Sequence, residues 1–208
     1  MRAIPRTAAL NQGYTRLVNN ATLTPGSKRF HAVKFYEDSE SLCRLIADFL
    51  GEGFVGLQPA IVIARPTHLA QIEAELYARG FDVSRLKSTG DLLVVDAERI
   101  LEQFIIDGIP DRARFETAVI PLIEQSVLDR DKCVIRAYGE MVDVLWQSGQ
   151  KAAAIKLEML WNELAQTHDF SLLCGYAMGN FYKDAVIGDI CQHHTHVLSD
   201  MQDIAPVQ

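Results

Sequence analysis

The run from Ala60 to Ala64 (AIVIA) is apolar at every position, and it leads straight into Arg65-Pro66-Thr67-His68, where a proline and a hydroxyl residue signal a helix start. An unbroken apolar run of this length suits a strand covered on both faces, as in a mostly parallel sheet between helical layers. In nucleotide-binding α/β proteins such a junction carries a glycine-rich phosphate loop. Its pattern, GxxxxGK[ST], occurs neither here nor in any other window. The chain therefore has the frame of a nucleotide-binding core without the phosphate grip, which points to sensing or binding rather than hydrolysis.

The remaining segments fit that frame. His31–Tyr36 reads as a first strand, followed by Asp38 or Ser39 as a cap and a helix with Leu42, Cys43, Ile46, Phe49 and Leu50 on one stripe, closed by Gly51 and Gly53. After Ala60–Ala64, Thr67 is expected to cap a helix that ends at Gly80. Leu92–Val95 is a third strand, with Asp96 capping a helix that carries Ile100, Leu101, Phe104 and Ile105. Asp107–Asp111 is a turn, and Pro121 should kink the helix after it. Cys133–Tyr138 and Phe170–Tyr176 are the fourth and fifth strands, separated by two helices, the second with Ala153, Leu157, Leu160, Trp161 and Leu164 on its stripe. Asp184–Ser199 reads as a final helix. Alternation of this kind predicts a three-layer α/β domain over residues 30–200, with a flexible N-terminal extension over 1–29 and a C-terminal tail over 201–208.

Composition narrows the function classes. The 208 residues carry a net charge of −7 and no Lys/Arg cluster, which argues against direct nucleic-acid binding. Apolar runs fall short of a membrane span and no secretory signal is seen, so the expected location is the cytoplasm. Cys43, Cys133, Cys174 and Cys191 form no CxxC pair and read as thiols.

In order, the segments His31–Glu37 (HAVKFYE), Ile63–His68 (IARPTH), Gly80–Val83 (GFDV), Asp96-Ala97, Asp107–Asp111 (DGIPD), Arg136–Val142 (RAYGEMV), Leu157–Leu164 (LEMLWNEL) and Leu173–Tyr176 (LCGY) resemble the DcmR-like sensory domain family, also called MEDS, over residues 30 to 200. The resemblance implies a RecA/KaiC-like fold and a sensory input role in signal transduction. It also implies small, hydrocarbon-derived ligands and partners such as a histidine kinase or a transcription regulator, as in two-component systems. No output domain fits in the rest of the sequence, so a stand-alone sensor is expected; a homo-oligomer stays open. The alternatives are a degenerate nucleotide-binding regulator without hydrolysis and a Cys/His metal-dependent redox sensor.

Ligands of open α/β sheets bind at the carboxyl ends of the strands. The residues expected there are Tyr36, Arg65, His68, Arg136, Tyr138, Glu140 and Tyr176, with Met141 and Trp161 completing apolar walls. Arg136 should be paired with Glu140 or Asp96, or face a cavity. Glu158 and Asn162 stand one helical turn apart and could present polar groups together. Cys191-Gln192-His193-His194-Thr195-His196 has metal-ligand chemistry. On one continuous helix its ligands split between two faces, leaving His193 and His196 as a pair that a third ligand, His31 or Glu37, could complete. No GxSxG, HExxH or Ser-His-Asp arrangement occurs, so no enzyme is expected.

Overall fold

The structure, a computed structural model, describes residues 29–128, 130, 133–180 and 187–198. The expected extension over 1–29 lies outside the described residues except for Arg29, and the tail over 201–208 lies wholly outside them.

Strands β1 (His31–Tyr36), β2 (Ala60–Ala64), β3 (Leu92–Asp96), β6 (Ile135–Gly139), β7 (Phe170–Ala177) and β8 (His196–Leu198) form one sheet, all parallel, in the order β3-β2-β6-β7-β1-β8. Strand alternation sorts their side chains between two cores. Helices α1 (Ser39–Val55) and α2 (Pro66–Ala78) cover Ala32, Tyr36, Val62, Tyr138 and Leu173 on one face. Helices α4 (Ala97–Phe104), α5 (Arg112–Val127), α6 (Met141–Gln147) and α7 (Lys151–Leu164) cover Val33, Phe35, Ile63, Leu172, Cys174 and Tyr176 on the other. The result is a three-layer α/β fold. Helix α3 (Val83–Ser88) and the two-residue strands β4 (Ile105–Ile106) and β5 (Ile109–Pro110) lie between these elements.

Side-chain caps mark the starts of four of the eight α-helices among the described residues. Asp38 and Asp96 each accept two backbone N–H groups at the starts of α1 and α4. Helix α2 differs from expectation: Arg65 is its first flanking residue and Pro66 its first helical one, so the proline, rather than Thr67, sets the start. Gly80, at φ 85°, takes the left-handed conformation that ends α2.

Gly51 and Gly53 do not close α1, which runs on to Val55. They are packing glycines. A Cβ on Gly51 would lie 2.9 Å from the Phe81 ring, and one on Gly53 would lie 2.6 Å from Cγ of Arg136. Ile105 leaves α4 to open a hairpin, because Asp107 and Gly108, both at positive φ, make the tight reversal that two antiparallel strands favour. Helix α5 continues through Pro121.

The largest departure is at the C-terminal end, where a helix was expected over 184–199. Within the described part of that range, helix α8 spans only Ile187–Cys191, and the chain then becomes β8, pairing with β1 from Ala32↔His196 to Lys34↔Leu198. The unpaired edge of β1 offers backbone groups that a continuing helix would leave without partners. Thr195 seals the junction: its N–H donates to the His31 carbonyl at 2.7 Å, and its hydroxyl accepts the His31 N–H at 3.0 Å.

Candidate functional site

Helix α2, which follows β2, packs on one face of the sheet, whereas α6, which follows β6, packs on the other. Since β2 and β6 are neighbours, their carboxyl ends form a topological switch point, the place where open α/β sheets bind ligands. Arg65 emerges from β2 and Glu140 from β6, so the two meet across it.

Glu140 is fully buried. Its Oε1 accepts the Arg65 backbone N–H at 2.6 Å and the Arg65 guanidinium at 3.3 Å, while Oε2 lies 2.6 Å from Nδ1 of His68 and accepts the Tyr138 hydroxyl at 3.3 Å. The Nε2 of His68 is 3.1 Å from the Ser39 hydroxyl at the start of α1. One helical turn after Glu140, the fully buried Asp143 accepts Arg65 Nη1 at 2.9 Å, Gln147 Nε2 at 2.6 Å, the Ala177 N–H at 3.0 Å and the Tyr36 hydroxyl at 3.5 Å. A single guanidinium, 20% exposed, therefore bridges two buried carboxylates.

Electrostatics follow from this burial. Desolvation raises the Asp143 carboxyl, opposed by the Ala177 N–H and by Arg65. For Arg65 burial acts downward, but the bond to Asp143 and the two carboxylate charges outweigh it and raise its pKa. Burial, then the charges of Asp143 and Glu140, pushes the Tyr36 phenol up; burial and Glu140 push Tyr138 well up. Gly175 is required beside Tyr138, since a Cβ there would lie 2.6 Å from the phenol oxygen.

Five of the seven residues expected at the strand ends thus converge: Tyr36, Arg65, His68, Tyr138 and Glu140. Arg136 does not. It is the second residue of β6, paired with Ala60 at the opening of β2, and about 10 Å of strand separates it from the carboxyl end. Its partners are Gln58 at 2.9 Å, the Phe49 carbonyl at 3.3 Å, the Phe49 ring at 4.9 Å and Glu52 at 3.7 Å, in place of Glu140 or Asp96. Met141 is buried in the α4–α7 core. Trp161 belongs to the same core, edge-on to Phe115 and Phe170.

Tyr176 lies on the opposite face of the sheet and joins a second buried cluster. Its hydroxyl donates to Glu158 Oε1 at 2.8 Å. His31 Nε2 lies 3.2 Å from Glu158 Oε2 and 3.3 Å from Cys174 Sγ, and His194 Nε2 lies 3.5 Å from Glu158 Oε1. Burial raises the Cys174 thiol and the Tyr176 phenol well above their ordinary values. Among the described residues this is the only group of three or more His, Cys, Asp or Glu whose ligand atoms come together. It contains His31, one of the two third ligands considered for a His193/His196 pair, but not Glu37. His193 and His196 are outside it: the His193 carbonyl accepts from Asn162, and His196 is exposed beside Phe30.

Sequence reasoning missed Asp143, Ser39 and Gln147 in the first cluster. Asp143 left a trace, a lone acid inside the apolar helix MVDVLW. It also missed the pairing of Cys174 and His194 in the second, which required helix α8 to end before β8.

No helix among the described residues is long and apolar enough to cross a membrane. No curated protein matches the chain. The family model described as the methanogen/methylotroph, DcmR sensory domain matches residues 30–195, from the first strand to the segment preceding β8. With the order of motifs and the all-parallel sheet in agreement, the chain belongs to the MEDS family of sensory domains.

Proposed function

We propose that this sensory domain receives its signal at the strand-end cluster of Tyr36, Arg65, His68, Tyr138, Glu140 and Asp143, binding a small ligand there and relaying the change to a partner such as a histidine kinase or transcription regulator. One observation carries this reading: two fully buried carboxylates at the β2/β6 switch point share one partly exposed guanidinium. A ligand with hydroxyl or amine groups that take over part of the Arg65 bridge binds the bridged and open arrangements with different affinity, which is what a sensor requires. The polar end of a small hydrocarbon derivative, the ligand class that the family resemblance implies, has this chemistry.

The cluster also speaks against phosphate chemistry. Glu140 already places a carboxylate on the Arg65 N–H at the start of α2, where a nucleotide phosphate would otherwise sit. No ATP turnover is expected.

Titration with short-chain alcohols, aldehydes and amines, followed by backbone NMR, tests the proposal. At least one class should shift the resonances of Arg65 and His68, with affinity weakened by about tenfold in Glu140→Gln, a change of about 1.4 kcal/mol. Shifts that map elsewhere and persist unchanged in both Arg65→Gln and Glu140→Gln would overturn the site; Mg-dependent ATP hydrolysis would overturn the non-enzymatic reading.

A further inference from the structure

Among the described residues, the second cluster has too few protons for its acceptors. His194 Nδ1 lies 2.8 Å from the Ile190 carbonyl, which can only accept, so Nδ1 carries the hydrogen and Nε2 of the neutral ring is a lone pair. That Nε2 is buried, makes no hydrogen bond among the described residues, and faces Glu158 Oε1 at 3.5 Å. His31 is fixed in the same way. The Asn162 amide donates to the His193 carbonyl at 2.9 Å, which turns its Oδ1 toward His31 Nδ1 at 2.9 Å. His31 Nδ1 is therefore the donor, and its Nε2 lone pair points at Glu158 Oε2 and Cys174 Sγ.

Two imidazole lone pairs and a fully buried carboxylate thus converge, and the donors that the described residues supply are the Tyr176 hydroxyl on Oε1 and the single Cys174 thiol proton, 3.7 Å from Oε2. Buried acceptors facing one another need a proton or a metal cation between them; protonating His31 alone would serve Glu158 Oε2 but leave His194 Nε2 without a donor among the described residues. Protonating both rings would place two positive charges with centroids 4.2 Å apart.

We propose that His31, Glu158, Cys174 and His194 bind a divalent transition-metal ion, zinc by preference, in a closed four-ligand site. A tetrahedral zinc ion with Zn–N of about 2.0–2.1 Å and Zn–S of about 2.3 Å holds its ligand atoms about 3.3–3.7 Å apart. His31 Nε2, Cys174 Sγ and Glu158 Oε2 lie 3.2, 3.3 and 3.7 Å from one another, His194 Nε2 is 3.5 Å from the second Glu158 oxygen, and one ligand atom from each of the four residues falls within 4.8 Å of the rest. Coordination releases the Cys174 proton to solvent, so thiolate, carboxylate and dication sum to zero charge, as burial requires. The outer contacts also fit: each histidine gives its other N–H to an amide or backbone carbonyl, and Glu158 accepts from Tyr176. The ion would tie the α8–β8 segment, through His194, to β1, β7 and α7. The site lies on the other face of the sheet from most of the strand-end cluster and does not depend on it.

The test loads the full chain with Zn(II) or Co(II), removes loosely held metal by dialysis, and measures ion content, the Co(II) absorption spectrum and the melting temperature. Expected are one ion per chain, a thiolate-to-cobalt charge-transfer band, and a melting temperature that falls on chelation. Cys174→Ser should lose the band, His194→Ala should hold metal at least about tenfold more weakly, and the His193→Ala/His196→Ala double variant should bind as the parent does. Parent protein that retains no ion, or whose Co(II) spectrum lacks a thiolate band, overturns the proposal whether or not the variants fold. So does metal binding lost only in the double variant.

Discussion

Glu140 and Glu158 are both fully buried glutamates, yet the groups around them differ in kind. Glu140 is met by a backbone N–H, a guanidinium, an imidazole and a phenol, so both oxygens have partners within the cluster, and Arg65 supplies positive charge. Glu158 is met by one phenol, one thiol and two ring nitrogens whose hydrogens are committed to carbonyl groups on their far sides. The acceptors of the first cluster are met by its own donors; among the described residues, those of the second are not. A buried carboxylate is thus not informative until the hydrogens pointing at it have been counted.

Removing a buried carboxylate that pairs with a partly exposed guanidinium should have the largest effect. Glu140→Ala leaves the Arg65 bridge with one carboxylate instead of two and strands His68 and Tyr138, and should cost about 3–5 kcal/mol, read from urea unfolding. A loss below about 1 kcal/mol would mean that solvent reaches Glu140 and that the first cluster is no more self-contained than the second.

A matched pair of substitutions sharpens the contrast at smaller scale. Tyr138→Phe removes one of several donors to Glu140, from 3.3 Å, and should cost about 0.5–1.5 kcal/mol; Tyr176→Phe removes the 2.8 Å donor on which Glu158 depends in metal-free protein and should cost about 1.5–3 kcal/mol. Both are measured in chelator. If Tyr138→Phe proves the costlier, the donor count given for the two glutamates is wrong.

The smallest effect at neutral pH, growing only in alkali, comes from the phenols of the first cluster. Burial, reinforced by the charges of Asp143 and Glu140, raises Tyr36 and Tyr138 in the folded state. The fold binds these protons more tightly than the unfolded chain does, so their contribution is fully present below the unfolded tyrosine value of about 10 and is lost as pH rises above it. Urea midpoints should be flat with respect to these groups up to about pH 9 and fall beyond it, less steeply in Tyr36→Phe. An unchanged slope in that variant would place Tyr36 in solvent contact and open the first cluster at that side.

Much of this architecture is legible in the sequence because its signals are local. AIVIA could only be comfortable inside a covered sheet, Asp38 and Asp96 stand where N-caps are needed, and the stripe through Ala153, Leu157 and Trp161 has the helical period. Gly51 and Gly53 were misread because a glycine demanded by a neighbour's side chain looks, in sequence, like a glycine that ends a helix. Arg136 was misplaced because the direction of a strand tells which residues approach its carboxyl end only once both of its ends are known.

By itself, then, the sequence determined the alternation of strands and helices, the covered parallel sheet, the missing phosphate loop and five of the side chains that meet at the strand ends. Tertiary structure alone decided where the histidines go. The helical period that groups His193 with His196 is a local preference worth little over so short a segment. The open edge of β1 supplies backbone partners that a longer helix would forgo, so the chain turns into β8 and carries His194 beneath the sheet to His31, Glu158 and Cys174. Those four residues run from His31 to His194, and only strand register and face bring them within reach of a single ion.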